Sequence, residues 1–161
     1  MRLLVAVGAL ATLTAPADAT QRVLFARGQW SALQSEDGRH CQAVARSLRD
    51  VPKGTEQARA TFAFDALGPR RGEFHVRLSR TARPGSSVIL SVGDQPFQLV
   101  ARGPEAWSFG PAQEAGIIAA ARVASGMRVE ARDPSGRRFI DRYLLAGAPS
   151  AIDAAAAGCA R

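Results

Sequence analysis

The sequence has few of the residues from which metal sites and nucleophilic catalytic centres are usually built. Its 161 residues include only two cysteines and two histidines, and no CxxC or HxxxH spacing occurs among them. A structural zinc site needs four ligands, and a catalytic zinc site needs three and a water molecule. The GxSxG segment of the α/β-hydrolases is also absent. The sequence therefore predicts no metal site and contains no strong catalytic signature.

Lysine is almost absent, and the positive charge of the chain comes from arginine. Lys53 is the single lysine among 21 basic residues, and the formal net charge is +7. The arginines are dispersed, the tightest pairs being Arg70-Arg71 and Arg137-Arg138, both beside glycines in predicted turns. We favour a solvated surface without a nucleic-acid partner. The alternative is an arginine-rich module that binds an anionic polymer or lipopolysaccharide.

The first nineteen residues have the layout of a secretory signal peptide. Met1-Arg2 precedes the apolar run Leu3–Leu13, which is shorter than the roughly 20 residues of a transmembrane helix. Ala17 and Ala19 then form a small-x-small cleavage site. We expect residues 1–19 to be removed, leaving a periplasmic or secreted chain without a transmembrane anchor. Residues 20–161 are enough for one domain.

Alternation of apolar and polar residues dominates the rest of the chain and predicts a mainly β fold. Two segments have helical patterning instead, at 112–124 and 151–157. We therefore expect an antiparallel β-sandwich or a barrel-like domain with two short helical additions. The predicted strands are 23–25, 30–34, 40–45, 59–64, 74–78, 87–92, 97–102, 127–132 and 139–145.

Cys41 and Cys159 are the two cysteines of the chain. In an oxidising compartment two lone cysteines most often pair. We therefore predict a Cys41–Cys159 disulfide, and two free buried thiols are the alternative.

Five residues are considered as candidate site residues. Neighbouring strand residues face opposite sides, so His40 is expected to point away from the adjacent cysteine, and His75 lies on the polar face of its strand. Both are interpreted as surface histidines without a partner arrangement for catalysis. Trp30 is predicted to pack in the core. Trp107 follows Gly103-Pro104 in a loop or a short strand, and its exposure is left open. Asp141 shares a strand face with apolar residues, so it needs hydrogen-bond donors if buried, and we interpret it as part of a structural network.

Four segments, in order along the mature chain, carry a resemblance to a known family. They are Gly28-Gln29-Trp30; Ser91-Val92-Gly93 with Pro96-Phe97-Gln98-Leu99; Ile117-Ile118-Ala119-Ala120-Ala121-Arg122 with Gly126-Met127; and Asp141-x-Tyr143-x-Leu145-x-Gly147 with Ala151 and Cys159. Together they resemble the invasion associated locus B family of exported alphaproteobacterial proteins. The family commonly has a further cysteine near the position of Gln34, so its full disulfide pattern is not carried over.

The resemblance implies what kind of protein residues 20–161 form. It implies an exported, largely β domain without a cofactor. We expect this domain not to be an enzyme; its partner is left open, an envelope or host-surface partner being one candidate. One member of the family is associated with entry into host cells. From the residues alone, a secreted hydrolase with a dispersed site is a further alternative.

Overall fold

The structure, a computed structural model that describes residues 21–160, contains ten strands and two helices in that part of the chain. The signal peptide predicted at 1–19 lies outside the described residues. The elements are β1 (Arg22–Arg27), β2 (Trp30–Gln34), β3 (His40–Arg46), β4 (Arg59–Asp65), β5 (Arg71–Arg77), β6 (Val88–Val92), β7 (Gln95–Arg102), β8 (Glu105–Trp107), α1 (Pro111–Val123), β9 (Gly126–Arg132), β10 (Arg138–Leu144) and α2 (Ala148–Gly158).

All ten strands belong to one antiparallel sheet in the order β1-β2-β3-β4-β5-β8-β7-β6-β9-β10. The predicted mainly β fold with two short helices is confirmed. The sheet folds over on itself in the manner of a sandwich and does not close. β8 inserts between β5 and β7, so three residues connect the two halves of the sheet.

The inner face of the sheet holds the core, as the alternating patterns predict. β3 and β5 alternate between buried and more exposed residues along their length. Trp30, predicted to be a core residue, is fully buried and lies 5.8 Å from the ring of Phe62, which in turn lies 5.2 Å from the ring of Phe74. These three rings fill the space enclosed by β2, β4 and β5.

The two helices pack on this inner face. α1 matches its predicted span to within one residue at each end. α2 is longer than predicted, because Pro149 lies in its first turn, where a missing N–H costs no helical hydrogen bond. α2 packs against β1, β2 and β3 and presents mainly alanines to them. Small side chains allow a close approach to the sheet. Neither helix in the described part of the chain is long and apolar enough to cross a bilayer.

β10 approaches β2 and the end of β3 without forming a ladder with them, and we call this junction the seam. The Trp30 indole N–H donates to the carbonyl of Leu144 over 2.8 Å, and the Leu48 backbone N–H donates to the carbonyl of Arg142 over 2.8 Å. Gly147 lies at the same junction with φ +91°, where a Cβ would come within 2.7 Å of the Arg27 carbonyl oxygen. Only glycine fits this close approach.

A disulfide joins the end of α2 to the sheet. The Sγ atoms of Cys41 and Cys159 are 2.13 Å apart and their Cα atoms are 5.8 Å apart. This is the pairing that the sequence predicts, and the structure does not contain the alternative pair of free thiols. The Gln34 side-chain amide donates to the Gly158 carbonyl over 2.9 Å and adds a second tie at the same place.

Candidate functional site

A groove of about 840 Å³ lies on the outer face of the sheet, across β2 to β5. Its floor follows from the strand register, which places Ser31 opposite Val44, Val44 opposite Thr61, and Thr61 opposite His75. Alternation turns all four of these side chains away from the core. The floor is therefore a row of short or medium side chains that leaves room above β4.

The segment between β3 and β4 forms one wall of the groove. The side-chain amide of Gln57 donates to the carbonyls of Ser47 and Arg49, over 2.6 Å and 2.9 Å. These bonds hold the segment in place together with the backbone hydrogen bonds that Ser47 and Leu48 donate to the carbonyls of Ala58 and Arg142. The groove thus has a fixed wall rather than an open flank.

Arginines are concentrated at the end of the groove beside this wall. Arg59 lies directly opposite Arg46 on one side and Arg77 on the other. Arg77 is neutralised by Glu105 and Glu56, each at 2.6 Å. Within residues 21–160, Arg46 and Arg59 form no ion pair, although Asp50 also lines the groove. Arg46 and Arg59 therefore remain without a direct ion pair at this end of the groove, and like charges directly opposite each other destabilise a sheet.

His75 is part of a side-chain cluster that the sequence interpretation missed. Its Nε2 lies 2.7 Å from Oε2 of Glu105, and its ring is stacked on Trp107 with centroids 5.3 Å apart. His75 lies on the outer face of its strand, as expected, and its carboxylate partner was not foreseen. Glu105 and Trp107 belong to the short strand β8, and they share the outer face with His75. The alternation Glu-Ala-Trp was the available signal, but it covers only three residues.

His40 also has a carboxylate partner, which the sequence interpretation did not foresee. Its Nδ1 lies 2.8 Å from Oδ1 of Asp65, and Arg70 donates to the same carboxylate over 2.7 Å and 3.0 Å. These Arg70 hydrogen bonds, with a smaller contribution from His40, hold the pKa of Asp65 well below its usual range. His40 is exposed and Cys41 is buried, so the predicted opposite orientation of the two side chains is confirmed. The cluster fastens the turn between β4 and β5.

Asp141 is fully buried on the inner face of β10. Its Oδ2 accepts a hydrogen bond from the backbone N–H of Ser79 over 2.9 Å, whereas its Oδ1 has no partner among the described residues, so the expected donors are present for one oxygen only. Burial, together with the Asp141 charge, raises the pKa of Tyr143. Asp141 thus fixes the segment after β5 to β10, in keeping with the structural role expected for it.

The groove offers hydrogen-bonding and ionic contacts rather than an assembled nucleophile. Neither imidazole has a serine, threonine or cysteine side chain at hydrogen-bond distance among residues 21–160. The same residues contain no group of three potential metal ligands. What the groove presents is a polar and apolar floor, side-chain amides and two free guanidinium groups.

Comparison with known proteins returns no relative for this chain. No family model matches it, and neither a curated protein nor a solved structure matches it. Function is accordingly inferred from the residues and their geometry.

Proposed function

We propose that this chain is an exported, non-enzymatic domain of the invasion associated locus B type, and that it binds a ligand in the groove on its outer sheet face. The observation that carries this proposal is the direct opposition of Arg46 and Arg59, neither of which forms an ion pair among the described residues. Such an arrangement lowers the stability of the sheet unless a bound group neutralises it. The volume of the groove lies within the range of ligand-binding clefts.

Two further features support the exported part of the proposal. Residues 1–19 have the layout of a cleaved signal, and disulfides persist mainly in oxidising compartments. The Cys41–Cys159 pair at bonding distance is compatible with such a compartment. The four segments that resemble the family lie in order along the chain and supply the family assignment.

The test is retention on cell-surface material. The exported chain, purified with its disulfide intact, is mixed with envelope material from the source cells, and the sedimenting fraction is measured. Ser31→Trp fills the floor of the groove and should abolish retention. Ser150→Trp makes the same exchange at an exposed position on α2 and should leave it unchanged. N-terminal sequencing of the exported chain should begin near Thr20.

Three results would overturn the proposal. Equal retention of the Ser31→Trp variant would remove the groove from the binding site. A chain that still begins at Met1 in the exported fraction would contradict the proposed signal cleavage and the compartment inferred from it. Turnover in a panel of hydrolase substrates, lost in the Ser31→Trp variant, would replace the binding role with an enzymatic one.

A further inference from the structure

We propose that the ligand is an acidic polysaccharide, and that its binding surface extends from the groove across the seam onto an arginine-bearing face of β9 and β10. This inference rests on the proposed function, because it takes the groove as one end of the site and export as the compartment. The structure contributes a second set of opposed arginines, on strands that do not line the groove.

The arginine face consists of Arg128 and Arg132 on β9 and Arg138 and Arg142 on β10. The register places Arg128 directly opposite Arg142, and Arg132 directly opposite Arg138. All four are exposed on the outer side, because their strand neighbours are buried in the core. Glu130 lies between the two pairs and binds Arg138 over 2.6 Å. Among the described residues, Arg128 and Arg142 form no ion pair.

The seam makes this face continuous with the groove. The Leu48 N–H donates to the carbonyl of Arg142 over 2.8 Å, and Arg46 ends the strand only two residues before Leu48. Two directly opposed arginine pairs in which neither member forms an ion pair among the described residues therefore lie on the outer surface, Arg46 with Arg59 and Arg128 with Arg142. Arg132 follows Arg128 on β9, opposite the Glu130-bound Arg138.

The spacing of these arginines fits a polymer better than a single ion. Arg132 lies four positions after Arg128 along β9, which corresponds to about 13 Å at roughly 3.3 Å per residue. A ligand that reaches both of these arginines as well as the groove must carry anionic groups repeatedly along its length.

Carboxylated sugars satisfy the chemistry of both parts of the surface. The planar guanidinium group of arginine binds a carboxylate with two parallel hydrogen bonds. The side-chain amide of Gln42 and the hydroxyl of Ser31, both in the groove, suit the hydroxyl groups of a sugar. An exported protein meets surface polysaccharide before it meets nucleic acid. Duplex DNA serves as the competing ligand in the test.

Polygalacturonate oligomers are the acidic probe, and dextran is the neutral one, in titrations of the purified exported chain followed by calorimetry. We expect polygalacturonate to bind and its Kd to rise with added NaCl, because salt screens exposed charges. Arg128→Gln with Arg142→Gln should raise the Kd by about tenfold or more, and Arg46→Gln with Arg59→Gln should do the same. Removing opposed like charges relieves repulsion, so both double variants should fold.

The matched control is Arg39→Gln with Arg122→Gln, which removes the same net charge. These two arginines pair with Asp37 and Asp153, away from the seam. Their loss should change the Kd by no more than about twofold, as surface ion pairs contribute little. An equal effect of the control would show that net charge alone drives binding. Equal effects in both test variants and none in the control would support the continuous track.

Other outcomes would overturn the polysaccharide inference, and they can be told apart from a failure of the proposal that the groove binds a ligand. Dextran binding as tight as polygalacturonate would remove the role of the carboxylates. Tighter binding of duplex DNA at the same salt concentration would identify a nucleic-acid surface instead. If polygalacturonate does not bind while Ser31→Trp still abolishes envelope retention, the ligand class is wrong and the groove remains the site.

Discussion

Replacing Cys41 and Cys159 with alanine removes the covalent tie between β3 and the end of α2. The bond closes a loop across 118 positions, for which the loss of denatured-state entropy contributes about 4–5 kcal/mol to stability. The residues that α2 buries are mainly alanines, which remove little apolar surface from water. The Gln34 hydrogen bond to Gly158 adds only about 1 kcal/mol. We expect the double variant to lose about 4 kcal/mol of unfolding free energy and roughly 10–20 °C in Tm.

Urea denaturation of the purified, disulfide-bonded chain, with and without reductant, measures this loss. The wild-type chain in reductant should unfold at the midpoint of the double variant, and reductant should not move the variant further. Hydrogen exchange in the double variant should be fastest in α2, because that helix loses its anchor first. A loss below about 1 kcal/mol would refute the reasoning, since α2 would then be held by its packing. An unchanged wild-type midpoint in reductant would refute it equally.

Two further substitutions test the seam and the turn between β4 and β5. Trp30→Phe keeps a core aromatic ring but leaves the carbonyl of Leu144 without its hydrogen-bond donor. Urea titration should therefore show a loss of about 1–3 kcal/mol in unfolding free energy. An unchanged urea midpoint would contradict the role of this hydrogen bond. Arg70 and His40 lower the pKa of Asp65 in the folded state. The ionised carboxylate therefore stabilises the fold fully above about pH 4, which is the pKa of an aspartate in the unfolded chain. This stabilisation is lost as the pH falls through the lower pKa of the folded state. In urea titrations Asp65→Asn should therefore lower the unfolding free energy by about 2 kcal/mol at pH 6 and by less at pH 3. A loss that is the same at both pH values would contradict this role of the Asp65 carboxylate.

The sequence was sufficient for most of the fold because period-2 alternation is a local signal. Every predicted strand is present, and α1 is placed to within one residue at each end. The segment at Trp107 was left open between a loop and a short strand, because the three residues of β8 are too few for periodicity to decide. α2 begins at Ala148, before its predicted start at 151, because Pro149 belongs to the first turn of the helix rather than to the segment before it.

Most of the candidate site could not be predicted from the sequence, because the side chains that meet there are set by the register between strands that are distant in the chain. Arg46 and Arg59 are separated by an irregular segment whose length does not determine how β3 and β4 align. The Glu105 partner of His75 is 30 positions away, on the strand that periodicity could not detect. The opposition of Arg128 and Arg142 is easier to predict from the sequence, because only the short turn at 133–136 separates their strands and it constrains the register.

The packing of α2 on β1, β2 and β3 also determines when the molecule can fold. The helix that completes the core is made after nearly all of the sheet, and its partners precede it by more than a hundred positions. Contacts of such long sequence separation make folding slow, because the loop must close before the contact forms. A nascent chain that stops short of α2 lacks the surface that covers β1 to β3, so it stays open while the remainder is synthesised. Such a chain acquires its final shape only once α2 has been made.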